Sequence, residues 1–266
     1  MLPDGIELRP MKGRDLDAVL GIIRAHDEDD FEEAEESYEE SGVEGQYVLT
    51  EHGKVVGVTG CRPIEVSDNS YWLSWTYLAQ EARGRGLGRA MLDQLMADLT
   101  EQGARKLFVN TSDYAEPDED PLYEDAHKLY EALGFRLELS YKDYYAPGES
   151  RLTYARRLGA LYGLRPKIEP DDGGVELVEV FEIDETEGAF AIDWDYAEDE
   201  SMFSAEDLER MTREARDADA RCIFIGFPSS LVRVAEAMKQ SRFVECGRLV
   251  DFFEDGLDEV HYRLDL

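Results

Sequence analysis

Hydrophobic and polar positions along the chain predict strands and helices that follow one another. Apolar residues recur every three or four positions in the segments predicted to be helical, and short apolar runs between turn residues mark the strands. The predicted helices are residues 14–25, 27–40, 87–100, 123–133, 204–218 and 229–240. The predicted strands are residues 6–9, 46–50, 54–61, 71–78, 106–110, 137–145, 152–156, 175–183, 189–196 and 222–227, with two more at the end of the chain. This order is typical of a mixed α/β fold.

The chain is predicted to form two domains. Residues 159–174 contain four Gly and two Pro, which is typical of a linker. We therefore predict a first domain at residues 1–160, a linker at 161–174 and a second, smaller domain at 175–266. A chain of 266 residues is long enough for two hydrophobic cores.

The second half resembles the first. At an offset of 108 positions, residues of the first half meet identical residues in the second. These residues are Phe135, Asp143, Gly148, Tyr154 and Leu158. We interpret the match as an internal repeat. Two unrelated halves with similar α/β patterning are the alternative.

The chain is strongly acidic. It contains 61 Asp and Glu against 28 Lys and Arg, a formal net charge of −33, and the acids are scattered rather than gathered in one tail. An even acidic surface is typical of halophilic proteins, which work in concentrated salt where screening shortens to about 3 Å at 1 M. An ordinary acidic protein of the cytoplasm is the alternative. The charge argues against binding to nucleic acid or to an anionic membrane.

Cysteine and histidine are few and dispersed. The three Cys and four His match no metal-site spacing, and no apolar run reaches the length of a membrane span. The N-terminus lacks the layout of a signal peptide. We therefore expect a cytoplasmic protein without a bound metal.

A glycine-rich segment between a predicted strand and a predicted helix is the clearest candidate binding site. Its sequence is Arg83-Gly84-Arg85-Gly86-Leu87-Gly88. Alternating glycines let the backbone turn tightly, and the following helix offers unpaired N–H groups and the positive end of its dipole to an anion. A nucleotide P-loop would need Gly-Lys-Ser/Thr, and the dinucleotide fingerprint needs another glycine spacing. Another class of ligand that carries a pyrophosphate therefore remains as the candidate for this segment.

Two motifs together resemble the Gcn5-related N-acetyltransferase (GNAT) family. Residues 76–78, followed after four residues by residues 83–89, are similar to the family's acetyl-coenzyme A signature. Residues 126–135 are similar to its second pattern, Ala-x-x-Leu-Tyr-x-x-x-Gly-Phe. The resemblance covers residues 5–158. It implies a mixed, mostly antiparallel twisted sheet flanked by helices, and here a second, truncated GNAT-like domain follows.

The resemblance also implies acetyl-coenzyme A as cosubstrate. The backbone of residues 76–78 would pair with the pantetheine arm, and the amides of residues 85–89 would bind the pyrophosphate. The coenzyme-binding residues implied are Thr76, Tyr77, Leu78, Arg83, Gly84, Arg85, Gly86, Leu87, Gly88 and Arg89. Tyr130 would be catalytic and protonate the departing thiolate, because a phenol with a pKa near 10 is still protonated at neutral pH. A core aromatic is the alternative for Tyr130.

Some positions depart from the family's pattern. The family often has Asn seven residues before the tyrosine, and this chain has Tyr123 there. The strand over residues 71–78 contains no carboxylate to act as a general base, although Glu65 and Asp68 are near in sequence. In the second half, residues 199–204 replace the glycine-rich segment and contain two acids, and Met238 replaces Tyr130. We expect that half to bind no coenzyme.

The sequence therefore favours an N-acetyltransferase that moves acetyl from acetyl-coenzyme A to an amine by direct nucleophilic attack. A non-catalytic acyl-coenzyme A sensor is one alternative, and a tandem acyltransferase for a specialised small metabolite is another. The amine acceptor is a small molecule or a protein amine. The two halves suggest a monomer with pseudo-dimeric halves or a homodimer.

Overall fold

The structure is a computed structural model that describes residues 2–114, 123–160, 167–171 and 173–266. The chain divides into two compact units, each built from several segments. The first unit is Met1–Val109, Leu129–Phe135 and Arg156–Ala160, and the second is Asn110–Lys128, Arg136–Ala155 and Leu161–Leu266. Part of the predicted linker at residues 161–174 lies outside the described residues, so the predicted domain boundaries stay a prediction.

The strands of the first unit follow the order of the sequence. They are β1 (Ile6–Pro10), β2 (Gln46–Glu51), β3 (Lys54–Pro63), β4 (Ser70–Leu78) and the first part of β5 (Lys106–Ser112). Neighbours are antiparallel except for β4 and β5, which are parallel. A parallel pair needs a long crossover connection, and a helix between β4 and β5 supplies it.

Four helices accompany these strands. They are α1 (Leu16–Arg24), α2 (Glu28–Ser41), α3 (Leu87–Glu101) and α4 (Glu124–Ala132), and short 3-10 helices lie at Gly13–Asp15 and Gln80–Ala82. The Asp27 side chain accepts hydrogen bonds from the backbone N–H groups of Asp29 and Asp30, which fixes the start of α2. The buried face of α3 is Leu87, Met91, Leu92, Leu95, Met96 and Leu99.

The second unit contains the remaining elements. The strands are β6 (Arg136–Ala146), β7 (Glu149–Arg157), β8 (Val175–Glu182), β9 (Ala189–Tyr196), β10 (Cys222–Pro228), β11 (Val244–Glu254) and β12 (Leu257–Asp265). The helices are α5 (Ala205–Asp217) and α6 (Val232–Gln240). The strand order is β7-β6-β11-β12-β10-β9-β8. Side chains of both helices and of the sheet form one core that includes Met211, Ile223 and Met238.

The topology of the second half repeats that of the first from β3 onward. Two strands, a helix, a strand, a helix and two strands occur in both halves. β8 and β9 are antiparallel, as β3 and β4 are, and β9 and β10 are parallel, as β4 and β5 are. Both halves end in an antiparallel hairpin, β6–β7 and β11–β12. The recurrence supports the interpretation of the sequence match as an internal repeat.

Corresponding strands of the two halves pair with each other inside the second unit. β6 and β11 are antiparallel neighbours, and their register places Gly247 opposite Leu139. A Cβ atom on Gly247 would lie 2.7 Å from Leu139 Cδ1, and its φ is +153°. The two strands therefore approach closely where position 247 has no side chain.

The predicted fold class, a mixed α/β chain with a mostly antiparallel sheet, is confirmed. The ends of elements differ from the prediction by a few residues. α6 begins at Val232, three residues after the predicted start, because β10 continues through Pro228 and the Ser229 N–H donates to the Asp258 carbonyl at 2.8 Å. In the described part of the chain, the helices are too short or too polar to span a membrane.

A partly buried ion pair ties β1 to the segment that leads into α1. Asp15 is 5% exposed, and its carboxylate accepts hydrogen bonds from Nη1 and Nη2 of Arg9 at 2.7 and 2.9 Å. The Lys12 N–H donates to the same carboxylate at 3.0 Å. The hydrogen bonds from Arg9, and secondarily the one from Lys12, lower the pKa of Asp15 to about 2.

This pair predicts a specific dependence of stability on pH. Because the pKa of Asp15 is lower in the folded protein than in the unfolded chain, its stabilisation is present above about pH 4 and is lost between about pH 4 and 2. We expect Asp15→Asn to lower the free energy of unfolding at pH 7 by about 1–3 kcal/mol, with a smaller difference at acid pH. Urea unfolding of both proteins over this pH range measures it. Glu36→Gln, at an exposed position of α2, is the control. A difference that is independent of pH would contradict the prediction.

Candidate active site

The described pairing of β4 with β5 involves only the first part of β4. The parallel pairing with β5 joins Ser70, Tyr71 and Trp72 to Lys106, Leu107 and Phe108. Among the described residues, this pairing extends no further along β4. Thr76, Tyr77 and Leu78 are the last three residues of the strand. The backbone predicted to contact pantetheine therefore lies beyond the segment that pairs with β5, while β3 pairs with it on the other side.

The glycine-rich segment turns from β4 into α3. Gly84 and Gly86 have φ angles of +69° and +74°, in the left-handed region, and a Cβ atom on either would meet nothing within 4 Å. These positions need glycine for the backbone conformation rather than for lack of space. Gly86 is the N-cap residue, and α3 begins at Leu87. The sequence prediction of a tight turn that leads directly into a helix is confirmed.

The N-terminus of α3 is left without a side-chain cap. Gly86 has no side chain to accept a hydrogen bond, and the first turn contains no acid. The first backbone N–H groups of a helix have no partner within it, and the helix dipole places partial positive charge there. These groups are therefore available to an anion such as a pyrophosphate.

The equivalent helix of the second half is capped. Ser204 Oγ accepts a hydrogen bond from the Asp207 N–H at 3.2 Å, and the Asp207 carboxylate accepts one from the Ser204 N–H at 2.8 Å. This reciprocal pair satisfies two backbone donors at the start of α5 and places a carboxylate there. An anion would meet like charge at this helix.

The three arginines of the segment are less free than their sequence suggests. Arg85 forms an ion pair with Glu51 on β2 at 2.6 Å, and Arg89 lies 3.6 Å from Asp93. Arg83 donates from Nε to the Leu78 carbonyl at 3.1 Å and has no carboxylate partner among the described residues. Arg83 is thus the arginine whose charge is least compensated at the end of β4.

Close packing joins the three elements of the first unit that carry the motifs. A Cβ atom on Gly88 would lie 3.5 Å from Leu78 Cδ1 and 3.6 Å from Leu129 Cδ2. These are ordinary van der Waals distances, so α3 lies against both the end of β4 and the end of α4. The two sequence motifs, 40 residues apart, are brought together.

Tyr130 lies near the end of α4, beside the position where Leu129 contacts α3. Its side chain is 7% exposed, and its ring centroid is 5.6 Å from that of Phe135. Burial raises the pKa of Tyr130 to about 12. The phenol is therefore protonated at neutral pH and can donate a proton or a hydrogen bond. Gly134, with φ of +84°, ends the helix and lets the Phe135 N–H donate to the Tyr130 carbonyl at 3.0 Å.

A cluster that the sequence did not reveal lies on the side of β4 that faces α1 and α2. The His26 ring, between these helices, contacts the Tyr77 ring at a centroid distance of 4.9 Å. Tyr77 Oη donates to Asp30 Oδ2 at 2.5 Å. His26 Nε2 is buried and has no hydrogen-bond partner among the described residues. The Asp27 cap places His26 just before α2, but the sequence carries no signal for its contact with Tyr77.

The protonation of His26 is set by its surroundings. Burial lowers the pKa of His26 below its usual 6.5, and the positive charge of Arg83 lowers it further. The backbone of Leu78 and the charge of Asp27 act in the opposite direction and are weaker. An uncharged imidazole therefore lies next to the strand end that carries the first motif.

The polar residues considered from the sequence, Glu65, Asp68 and Asn110, are not part of this cluster. Glu65 and Asp68 are exposed in the turn between β3 and β4. Asn110, at the end of the β5 strand predicted from sequence, accepts a hydrogen bond from Thr153 Oγ1 at 2.7 Å in the second unit. Among the described residues, no group of three or more His, Cys, Asp or Glu could hold a metal ion.

Comparisons with solved structures give matches of limited similarity. A ribosomal-protein alanine N-acetyltransferase from Escherichia coli is 20% identical and covers 59% of this chain and 96% of its own, with a TM-score of 0.48. An aminoglycoside 6′-N-acetyltransferase complexed with coenzyme A is 13% identical and covers 59% and 99%, with a TM-score of 0.49. An N-acetyltransferase from Staphylococcus aureus is 21% identical and covers 57% and 98%, with a TM-score of 0.45. No curated protein matches the chain.

The comparison with protein families is more direct. The model of the acetyltransferase (GNAT) family matches residues 16–135. The match begins at the start of α1 and ends just after α4, so it contains β4, the glycine turn, α3 and Tyr130. Residues 16–135 of this chain are therefore similar to the acetyltransferase (GNAT) family, and the matched segment contains the candidate site.

Proposed function

We propose that this protein transfers acetyl from acetyl-coenzyme A to an amine. The proposal rests on the start of α3, which has no side-chain cap. This helix start follows directly after the left-handed glycine turn and the end of β4. The turn exposes backbone donors for the pyrophosphate, and the strand end offers its backbone to the pantetheine arm. The match of residues 16–135 to the GNAT family supports the choice of coenzyme.

The proposed reaction is a direct transfer. The lone pair of the neutral amine attacks the thioester carbonyl carbon, a C–N bond forms, and the C–S bond breaks with its electron pair on sulfur. Tyr130 donates its proton to the departing thiolate, and a base accepts the proton that the amine loses. The high pKa of Tyr130 keeps the donor protonated at neutral pH.

The first test removes the proposed acid. We expect Tyr130→Phe to lower kcat about a hundredfold, because it deletes the proton donor but keeps the ring that packs on Phe135. Steady-state kinetics with a coupled thiol assay over an amine panel measure this, and the KM for acetyl-coenzyme A should change little. Tyr38→Phe is the matched control, since the Tyr38 hydroxyl is buried on α2 without a hydrogen-bond partner among the described residues.

Two outcomes would contradict the proposal for Tyr130. Equal kcat values for the variant and the wild type would show that the hydroxyl does not act in the reaction. Saturable coenzyme binding with no turnover on any amine, in the wild type, would instead support a non-catalytic acyl-coenzyme A sensor.

The second test addresses the glycine turn. Ala at position 86 would have to adopt a left-handed φ, which costs about 1–2 kcal/mol and shifts the first N–H groups of α3. We expect Gly86→Ala to weaken coenzyme A binding by about tenfold. Calorimetric titration measures it. Gly148→Ala is the matched control, because Gly148 has φ of +91° and equally open space but lies in the β6–β7 turn. Equal losses in both variants would contradict the assignment.

We further propose that the second half binds no coenzyme. The cap of α5, the lack of glycine in residues 199–204 and the buried Met238 at the position equivalent to Tyr130 all support this. The titration of the wild type is then expected to give one coenzyme A per chain.

We also propose His26 as the base that accepts the amine proton. Its imidazole lies beside β4, keeps Nε2 without a partner among the described residues, and is held uncharged near neutral pH. The charged and titratable groups around it are Asp27 and Asp30 of the α2 region, Tyr77 of β4 and Arg83 of the turn.

The pH profile tests this role. Protonation of the His26 imidazole would remove the base, so the wild-type acid limb of kcat/KM should include an ionisation below the usual pKa of histidine, because burial lowers the pKa of His26. We expect His26→Gln to lower kcat by about a hundredfold and to remove one ionisation from this limb, which leaves that of the amine substrate, with coenzyme A binding unchanged. His52→Asn, in the β2–β3 turn, is the control. An acid limb of unchanged slope in His26→Gln would rule out His26.

A further inference from the structure

A cavity of about 300 Å³ lies within the second unit, against the sheet. Tyr141 and Tyr144 of β6, Arg151 of β7 and Phe224 of β10 line it, and β12 contributes Glu259 and His261. Apolar side chains of β8 and β9 complete the wall. This volume is at the lower end of cavities that hold small organic molecules, and such sites combine apolar walls with a few placed polar groups.

Arg151 is the unusual group in this cavity. Its guanidinium carbon lies 4.7 Å from the ring centroid of Tyr141 and 4.1 Å from that of Tyr144. Nη1 donates to the Tyr144 hydroxyl at 2.6 Å. Nε has no hydrogen-bond partner, and the side chain has no carboxylate partner among the described residues. In a chain with 61 acids and 28 basic residues, a guanidinium without a carboxylate partner among the described residues is a candidate to bind an external anion.

The negative group of the cavity, in contrast, is engaged. Glu259 Oε2 lies 3.0 Å from His261 Nε2, and His261 Nδ1 is hydrogen-bonded to the Tyr141 hydroxyl. Burial raises the pKa of both Tyr141 and Tyr144, so these phenols are neutral. The carboxylate is thus held by the imidazole, while Arg151 keeps unused donors.

The shape of the cavity depends on a glycine. A Cβ atom on Gly226 of β10 would lie 2.9 Å from His261 Nδ1. The imidazole therefore occupies space that a side chain at position 226 would take. The polar groups are held by neighbouring strands rather than by loops, which gives a site that exists before a ligand binds.

We propose that this cavity binds a small apolar carboxylate. The guanidinium of Arg151 binds the carboxylate, since its planar donors match two oxygens, and the aromatic and aliphatic walls bury the hydrocarbon part. A single negative charge suits the site better than a phosphate, because Glu259 and the acidic chain disfavour a dianion. The site is separate from the coenzyme site proposed above, and the inference does not depend on acetyl transfer.

Calorimetric titration of the full chain with phenylacetate, without coenzyme, tests the proposal. We expect saturable binding with one ligand per chain, and binding of the neutral analogue phenylacetamide at least about tenfold weaker, because the charge-assisted pair with Arg151 is absent. No saturable binding of phenylacetate, or equal affinity for the amide, would overturn the proposal.

Variants locate the site. Arg151→Met should weaken phenylacetate binding at least about tenfold, and Arg151→Lys should restore part of it by keeping the charge. Ala191→Met, which fills the cavity from β9, should lower the affinity for both phenylacetate and phenylacetamide. Arg210→Met removes an arginine paired with Glu214 on the exposed face of α5 and should leave binding unchanged.

Folding of each variant is checked by near-ultraviolet circular dichroism and by coenzyme A titration. If Arg151→Met does not fold, phenylacetate binding by Ala191→Met tests the location of the site. Wild-type affinity in a folded Arg151→Met or in a folded Ala191→Met would place phenylacetate elsewhere and overturn the assignment.

Discussion

The absence of a side-chain cap at the start of α3 is the constraint on which the candidate active site depends. Two other helices of this acidic chain have carboxylate caps at their starts, Asp27 at α2 and Asp207 at α5, whereas α6 resembles α3 in having no side-chain cap and no acid in its first turn. At α3 the left-handed Gly86 takes the N-cap position, and the first turn is free of acid. The positive end of one helix is thereby kept open in a protein whose formal net charge is −33. The start of α5 has a side-chain cap and that of α3 has none, so the two halves differ at this helix although they share a topology.

The surrounding packing supports this opening. In the described part of the chain, β4 pairs with β5 at Ser70, Tyr71 and Trp72, and Gly88 lets α3 lie against Leu78 and Leu129. Tyr130 follows Leu129 directly on α4. The strand end, the turn and the proposed acid therefore form one continuous region of the first unit, although 54 positions separate Thr76 from Tyr130.

The sequence predicted the features that depend on local interactions. Glycine spacing predicted the turn, and two motifs indicated the resemblance to the GNAT family, which the family comparison confirms for residues 16–135. Contacts between distant segments were not predictable, because they depend on strand register and packing. The pairing of Arg85 with Glu51, the contact of His26 with Tyr77 and the position of Arg151 over two tyrosine rings are of this kind. The domain boundaries, the residue roles and the adaptation to salt stay predictions.

The pairing of β6 with β11 has a consequence for how the chain can be divided. A strand at the margin of a sheet presents unbonded backbone groups through which chains associate, and each of these two strands covers the other. A fragment that ended before β8 would lack β11, and the edge of β6 that faces β11 would lose its strand partner at Leu139.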